Sequence, residues 1–63
     1  MKLSKRELEV LKLIAQELTT EQIAEQLQVT VSTIETHRRN MFRKAEVKNV
    51  IGLLKYAIKE ELI

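Results

Sequence analysis

Four polar residues that commonly cap helix N-termini are spread along the chain, and an apolar run follows each one. At two of them the third following residue is Glu or Gln, the arrangement of a capping box. The starts follow one another so closely that only short helices and short connections fit between them. The N-cap candidates are Ser4, Thr19, Thr30 and Asn49. They predict helices at about residues 5–17, 20–27, 31–45 and 50–60, in an all-α fold: a four-helix bundle with a central helix-turn-helix.

Length and composition restrict the alternatives to this fold. With 63 residues the chain suffices for one domain, residues 1–63. This length is near the lower limit at which a hydrophobic core is stable without disulfides or a structural metal. It contains no Cys, no Pro and one Gly, which disfavours disulfide frameworks and multi-turn β architectures. A single His without Cys or Asp argues against a metal site and an enzyme, and no cofactor is expected.

The apolar segments are too short to suggest a membrane protein. The longest run, residues 50–54, falls far below the ~20 residues that a membrane-spanning helix needs. The N-terminus also lacks the apolar stretch of a signal peptide. The sequence therefore predicts a cytoplasmic protein with no membrane contact.

Positive charge is concentrated in one segment, although the net charge of the whole chain is only +2. Residues 32–48 carry five Lys or Arg against two Glu, a net charge of +3, whereas residues 1–31 carry four Lys or Arg against five Glu. Such a segment suits an anionic partner, and it equally suits a solvated helix face. The five cations are Arg38, Arg39, Arg43, Lys44 and Lys48.

Residues 20–37 have the pattern of a helix-turn-helix, with two short helices joined by about three residues. Ala24 supplies a small side chain where the two helices would approach closely. Gln28 stands in the turn, where a left-handed conformation is expected at a cost of about 1–2 kcal/mol for a residue other than Gly. By pattern alone, a plain helical bundle and a DNA-binding domain are equally good interpretations.

Several separated motifs resemble one family in order along nearly the whole chain. They are LSKRELEVL at residues 3–11, TTEQIA at 19–24, VT at 29–30, TIETH at 33–37, NMFRKA at 40–45, VKN at 47–49 and LI at 62–63. This pattern is similar to the LuxR-type, or GerE-like, helix-turn-helix domain, the output domain of NarL/FixJ-class bacterial response regulators.

The resemblance implies sequence-specific binding of double-stranded DNA by the effector domain of a two-component transcriptional regulator. The third helix (about 31–45) would lie in the major groove. The fourth (about 50–60) would form a homodimer on a two-half-site operator. A full-length regulator of this kind also carries an N-terminal receiver or sensor domain.

Three positions depart from the family pattern, and all three concern stability. Glu17 stands where Gly is usual, so the first helix is expected to end less sharply. Ala45 replaces a common Leu and offers a smaller core contact. Gly52 replaces a frequent Glu and is expected to weaken the start of the fourth helix by about 0.5–1 kcal/mol.

Spacings of three and four residues place one set of polar side chains on a common face of the third helix. Arg39 suits a guanine edge or a phosphate, and Thr36 suits a thymine methyl or plain solvent. Glu35 suits either a cytosine amino group or an i,i+4 ion pair with Arg39. The base-contact candidates are Ser32, Glu35, Thr36 and Arg39.

A second set of residues is predicted to contact phosphates around that face. Thr19 and Thr20 combine hydroxyls with the positive dipole end of the second helix, although simple capping explains them equally well. His37 is better explained as a packed, hydrogen-bonded residue than as a contact. The phosphate-contact candidates are Thr19, Thr20, Thr33, His37, Arg38, Arg43 and Lys44.

The fourth helix is more apolar than one buried face requires, which suggests a second burial against a partner. The dimer-interface candidates are Val50, Ile51, Leu54 and Ile58, and ordinary core positions are the alternative for most of them. One short helix pair buries less than the ~1,200 Å² of a stable interface, so the homodimer is expected to be weak. A different class of function also fits: a helical protein-interaction module that binds an acidic partner through its basic third helix.

Overall fold

The computed structural model describes residues 3–63, and residues 1 and 2 of the predicted domain lie outside that range. It contains four α-helices: α1 (Lys5–Ala15), α2 (Thr20–Leu27), α3 (Val31–Ala45) and α4 (Val50–Lys59). The predicted all-α class and the four helix starts are confirmed. Two predicted ends were too late, since α1 ends at residue 15 instead of 17 and α4 at residue 59 instead of 60.

Side chains cap all four helix N-termini, as predicted. The Ser4 hydroxyl accepts from the Glu7 N–H at 3.1 Å, and the Glu7 carboxylate accepts from the Ser4 N–H at 2.7 Å. Thr19 and Gln22 form the same reciprocal pair at the start of α2. Each bond satisfies a backbone N–H that has no partner inside its helix, and this explains why the starts were readable from sequence.

The helix C-termini share a second pattern. A residue with positive φ follows each helix, and the N–H of the next, apolar residue donates to a carbonyl five positions back, as in a Schellman motif. The predicted left-handed conformation of Gln28, with φ 58° and ψ 46°, is confirmed. The four pairs are Glu17–Leu18, Gln28–Val29, Glu46–Val47 and Glu61–Leu62.

The expectation that Glu17 would blunt the end of α1 was wrong. Glu17 adopts φ 66°, and the Leu18 N–H reaches the Leu13 carbonyl at 3.3 Å. The Leu18 side chain packs against the core, and that burial holds Glu17 in a conformation that Gly adopts more easily.

The core lies between α1, α2 and α3, and α4 packs on α3. Because α3 contacts each of the other helices, its orientation depends on all of them. The buried apolar residues are Leu3, Val10, Leu11, Leu13, Ile14, Ile23, Ala24, Ile34, Met41, Leu53 and Ala57.

The buried face of α1 includes a charged residue and leaves out the last residue of the helix. Ala15 is exposed, because the buried face of α1 is centred on Val10 and Ile14 and helical periodicity carries residue 15 to its side. Glu7 occupies a buried position on that face with only 3% of its surface exposed. A carboxylate is therefore part of the interior of this domain.

Gly52 has a packing role at the start of α4. Asn49 accepts from the Gly52 N–H at 2.9 Å, so the cap is formed. A Cβ at position 52 would lie 3.2 Å from the Cβ of Val47, closer than side chains normally approach. The missing side chain lets the α3–α4 connection pack closely on α4, which the expectation of a merely weakened cap did not foresee.

Candidate nucleic-acid interface

One face of α3 is exposed and polar along its length. The structure brings all four base-contact candidates together on this face, which continues to Arg43, while Ile34 and Met41 are completely buried on the opposite side. This exposed face, called the α3 outer face below, consists of Ser32, Glu35, Thr36, Arg39 and Arg43. Because it belongs to a helix whose inner side is locked in the core, it is held in a defined orientation.

The hydroxyl of Thr36 is engaged within its own helix. It donates to the Ser32 carbonyl oxygen at 3.0 Å. A threonine bonded in this way has used its proton, and its methyl group becomes the part available for apolar contact. The choice between contact with a thymine methyl and plain solvent exposure for Thr36 stays a prediction.

Glu35 and Arg39 do not form the ion pair that their spacing allows. Both side chains are exposed, and among residues 3–63 no hydrogen bond or ion pair joins them to each other or to another side chain. An exposed i,i+4 pair is worth only about 0.3–0.5 kcal/mol, too little to hold two long side chains in one geometry. The carboxylate and the guanidinium both remain open to an external partner.

The other cations of α3 have intramolecular partners. Arg43 donates to the Asn40 side-chain oxygen at 3.0 Å, and the Arg38 guanidinium lies 5.9 Å from the centre of the Phe42 ring. Lys44 donates to Glu7 at 2.8 Å. Within the described residues, Arg39 is thus the one Lys or Arg of α3 with no hydrogen bond, ion pair or aromatic ring beside its charged group.

The Glu7–Lys44 ion pair joins the start of α1 to the last turn of α3. One oxygen of Glu7 accepts from both the Lys44 ammonium and the Ser4 N–H, and the Glu7 side chain is only 4% exposed. Burial by itself raises the pKa of Glu7, but the bonds from Lys44 and Ser4 outweigh burial and hold that pKa below its ordinary value of 4.5. The Lys44 ammonium is directed towards α1, so it is not free to contact a phosphate.

Sequence reasoning treated Glu7 as a cap and missed its second role. A signal was present, because Glu7 falls in the same helical stripe as Val10, Leu11 and Ile14, where a charged residue needs a partner. The partner is 37 residues away along the chain, so no local pattern identifies it.

The remaining phosphate-contact candidates lie at helix starts or beside the core. The Thr19 hydroxyl accepts from the Gln22 N–H at 3.1 Å, so it serves as a cap. The hydroxyls of Thr30 and Thr33 are 2.9 Å apart at the start of α3. Thr20 and His37 are half-buried. Their role in phosphate contact stays a prediction.

The exposed residues of α4 are two Ile and two Lys: Ile51, Lys55, Ile58 and Lys59. Ile51 and Ile58 are each 64% exposed, two helical turns apart on one side of the helix. Val50 and Leu54, the other two interface candidates, are half-buried and pack against the core. The name α4 apolar stripe is used below for Ile51, Leu54 and Ile58.

Residues 3–63 contain no helix that combines the length and apolar character needed to cross a bilayer. Over the same range, no three side chains among His, Cys, Asp and Glu gather closely enough to hold a metal ion.

Comparison with known proteins points to one family. A family model described as "GerE: Bacterial regulatory proteins, luxR family" matches residues 1–57. The chain is 44% identical over 61 residues to the "Oxygen regulatory protein NreC" of Staphylococcus carnosus (strain TM300), and equally to that of Staphylococcus haemolyticus (strain JCSC1435). The alignment covers 97% of this chain and 28% of each relative, so the chain spans under a third of their length.

A solved structure shares the fold. The whole chain superimposes on 31% of the chain in "Crystal Structure of Response Regulator ChrA in Heme-Sensing Two Component System", with a TM-score of 0.93 and 32% sequence identity. The similarity therefore extends over all four helices and their connections.

Proposed function

The chain belongs to the luxR family of bacterial regulatory proteins, whose domains bind DNA to regulate transcription and are not a class of enzymes, and from this membership we propose which helix contacts DNA and which contacts a second copy of the domain. In this proposal α3 lies in the major groove of double-stranded DNA and reads base edges with Ser32, Glu35, Thr36 and Arg39. A second copy of the domain is held through α4.

The observation that carries the major-groove assignment is the α3 outer face. An α-helix fits the major groove, and in a helix-turn-helix the second helix of the pair presents its exposed side chains to the bases. In this structure that helix is α3, preceded by α2 and the left-handed turn at Gln28. Its exposed residues are short hydroxyls near the N-terminus and longer charged groups further along, which suits a helix entering the groove N-terminus first.

Phosphate contacts are assigned to groups at the edges of that face. The N-terminus of α2 presents backbone N–H groups together with Thr19 and Thr20, and a helix N-terminus attracts anions. On the C-terminal half of α3, Arg38 and Arg43 already lie against Phe42 and Asn40, contacts that would orient their guanidinium groups. We place Thr33 and His37 in the same set, and we assign Lys44 to the Glu7 pair instead.

The assignment of α4 to dimerisation rests on the α4 apolar stripe. Exposed Ile side chains two turns apart make a narrow surface that a symmetry-related copy could cover. The buried area would be small, so the isolated domain is expected to associate weakly and to pair on adjacent half-sites of DNA.

The relatives suggest the larger protein in which the domain works. Because the chain spans 28% of NreC and 31% of the ChrA chain, we propose that it acts as the output domain of a longer, cytoplasmic response regulator in a two-component system. A receiver or sensor domain would then supply the input signal.

Salt-dependent binding of duplex DNA by the 63-residue domain tests the proposal. We expect affinity to fall steeply as salt rises, because phosphate contacts release counterions, and to be highest for selected sequences. Single-stranded DNA and an acidic polypeptide of matched charge serve as controls. Preference for the acidic polypeptide over every duplex, with the helical fold intact by circular dichroism, would favour the interaction-module alternative and refute the DNA assignment.

A further inference from the structure

Glu35, the one Glu of the α3 outer face, lies one helical turn before Arg39, and the two side chains form no ion pair. An unpaired carboxylate in a groove lined by phosphates is repelled unless it meets a hydrogen-bond donor. On the major-groove edge of DNA the donors are the amino groups of cytosine and adenine, and a carboxylate is the natural acceptor for cytosine N4. Glu35 thus disfavours most base edges and favours the major-groove edge of cytosine.

Arg39 is equipped for the complementary role. Its guanidinium has no partner among the described residues, whereas Arg43 and Lys44 are hydrogen-bonded to other side chains and Arg38 lies beside the Phe42 ring. A free guanidinium can donate two parallel hydrogen bonds to O6 and N7 of guanine, the arrangement that best separates guanine from other bases.

Helix geometry sets the distance between the two bases. Residues four apart are separated by about 6 Å along a helix axis, and base pairs are stacked about 3.4 Å apart. Side chains of Glu35 and Arg39 therefore reach base pairs one or two steps from each other. Thr36 lies beside Glu35 with its hydroxyl turned to the Ser32 carbonyl, so its methyl group is available to a neighbouring thymine.

We propose that the domain selects half-sites in which a cytosine, contacted by Glu35, lies one or two base-pair steps from a guanine, contacted by Arg39, with Thr36 favouring an adjacent thymine methyl. This inference rests on the proposed placement of α3 in the major groove and names the class of DNA sequence that such a placement would read.

The first experiment selects binding sites from a random duplex library with the wild-type domain and with Glu35→Gln. We expect the wild-type sites to contain the cytosine and guanine at that separation. In Glu35→Gln the cytosine preference should disappear, and adenine should gain at that position because an amide pairs with adenine. Exposed Glu25 on α2 provides the matched control, since Glu25→Gln should leave the selected sequence unchanged.

The second experiment pairs a protein change with a base change. Replacing the selected guanine by 7-deazaguanine removes the N7 acceptor, which should weaken wild-type binding about 10-fold or more. Arg39→Lys keeps the charge and loses the planar fork, so the modified base should cost this variant little further affinity. Arg43→Lys, on the same face, should retain the full sensitivity of the wild type to 7-deazaguanine.

The outcomes separate this inference from the function beneath it. Wild-type domain that binds no duplex at low salt would overturn both. Duplex binding with an unchanged selected sequence in Glu35→Gln, or equal losses from 7-deazaguanine in wild type and Arg39→Lys, would overturn the base assignment and leave DNA binding in place.

Discussion

The α3 outer face and the α4 apolar stripe lie on successive helices and differ in chemistry. The α3 outer face is polar and charged, and its side chains are well solvated by water without a partner. The α4 apolar stripe exposes two Ile side chains at 64% each, surface that is more stable when it is covered. Both helices rest on the same core, since α3 packs against α1, α2 and α4.

Under the proposed function, this difference gives the domain two recognition surfaces with separable physical requirements. A charged face gains from an anionic partner and loses affinity as salt screens it. An apolar face gains from burial and is nearly indifferent to salt. Changes to one surface should therefore leave the other working, unless they disturb the interior that both share.

The largest effect should come from that shared interior. Met41 is completely buried on the inner side of α3, and Met41→Ala removes its packing at a cost of about 2–5 kcal/mol. In a domain this small, that loss should lower the melting temperature sharply and weaken DNA binding and self-association together. Loss of one activity with the other intact would contradict a common core beneath both surfaces.

Next in size is the Glu7–Lys44 ion pair. Glu7→Gln should lower the free energy of unfolding at pH 7 by about 1.5–3 kcal/mol, because a hydrogen bond between charged groups is lost at a buried site. Chemical denaturation measures the change.

The pH dependence of stability tests the same pair. Because the folded pKa of Glu7 lies below its ordinary value of 4.5, its contribution is present above that value and is lost as pH falls through the lower, folded pKa. The wild type should lose this contribution on acidification, whereas Glu7→Gln lacks it at every pH. Parallel stability curves for the two proteins down to pH 3 would contradict the assignment.

A smaller effect isolates the α4 apolar stripe. The double change Ile51→Ser with Ile58→Ser should reduce binding to paired half-sites about 10-fold, equivalent to about 1.4 kcal/mol, while affinity for a single half-site stays unchanged. Exposed side chains away from special features affect stability by about 0.5 kcal/mol or less, so the fold should persist. Ala15→Ser, on an exposed part of α1, is the control. Unaltered paired binding in the double variant would remove α4 from the dimer model.

The smallest effect concerns the connection between the two surfaces. Glu46 takes φ 56° immediately after α3, a conformation that suits Gly better. Glu46→Gly should stabilise the domain by about 0.5–1 kcal/mol. Glu46→Gln keeps the backbone strain and removes the charge. Thermal unfolding of both variants therefore separates the effect of strain on stability from the effect of charge. Equal stabilisation by Gln and Gly would assign the effect to charge.

Features that depend on neighbours within one helical turn were readable from sequence. The capping pairs at Ser4 and Thr19 and the left-handed Gln28 each involve residues at most five positions apart, so the pattern contains both partners. The grouping of polar residues on α3 follows from helical periodicity in the same way. Residue chemistry and spacing were thus enough for the fold class and for the membership of the α3 outer face.

Features that depend on how the helices pack were not readable. Spacing predicted an ion pair between Glu35 and Arg39 as one of two alternatives, and the structure leaves both side chains unpaired. Glu7 finds Lys44 at 2.8 Å across 37 residues of chain. The reason is that an exposed pair gains almost nothing over water, whereas a buried carboxylate must be satisfied by whichever cation the packing brings near.

The order of helix starts, the turns and the polar stripe of α3 were therefore settled by local chemistry along the chain. The buried ion pair arose only when α1 was packed against α3, and the exposure of Ile51 and Ile58 and the close approach of Val47 to Gly52 arose only when α4 was packed on α3. Hydrogen bonding and periodicity act over one helical turn, but burial is a property of the whole assembled domain.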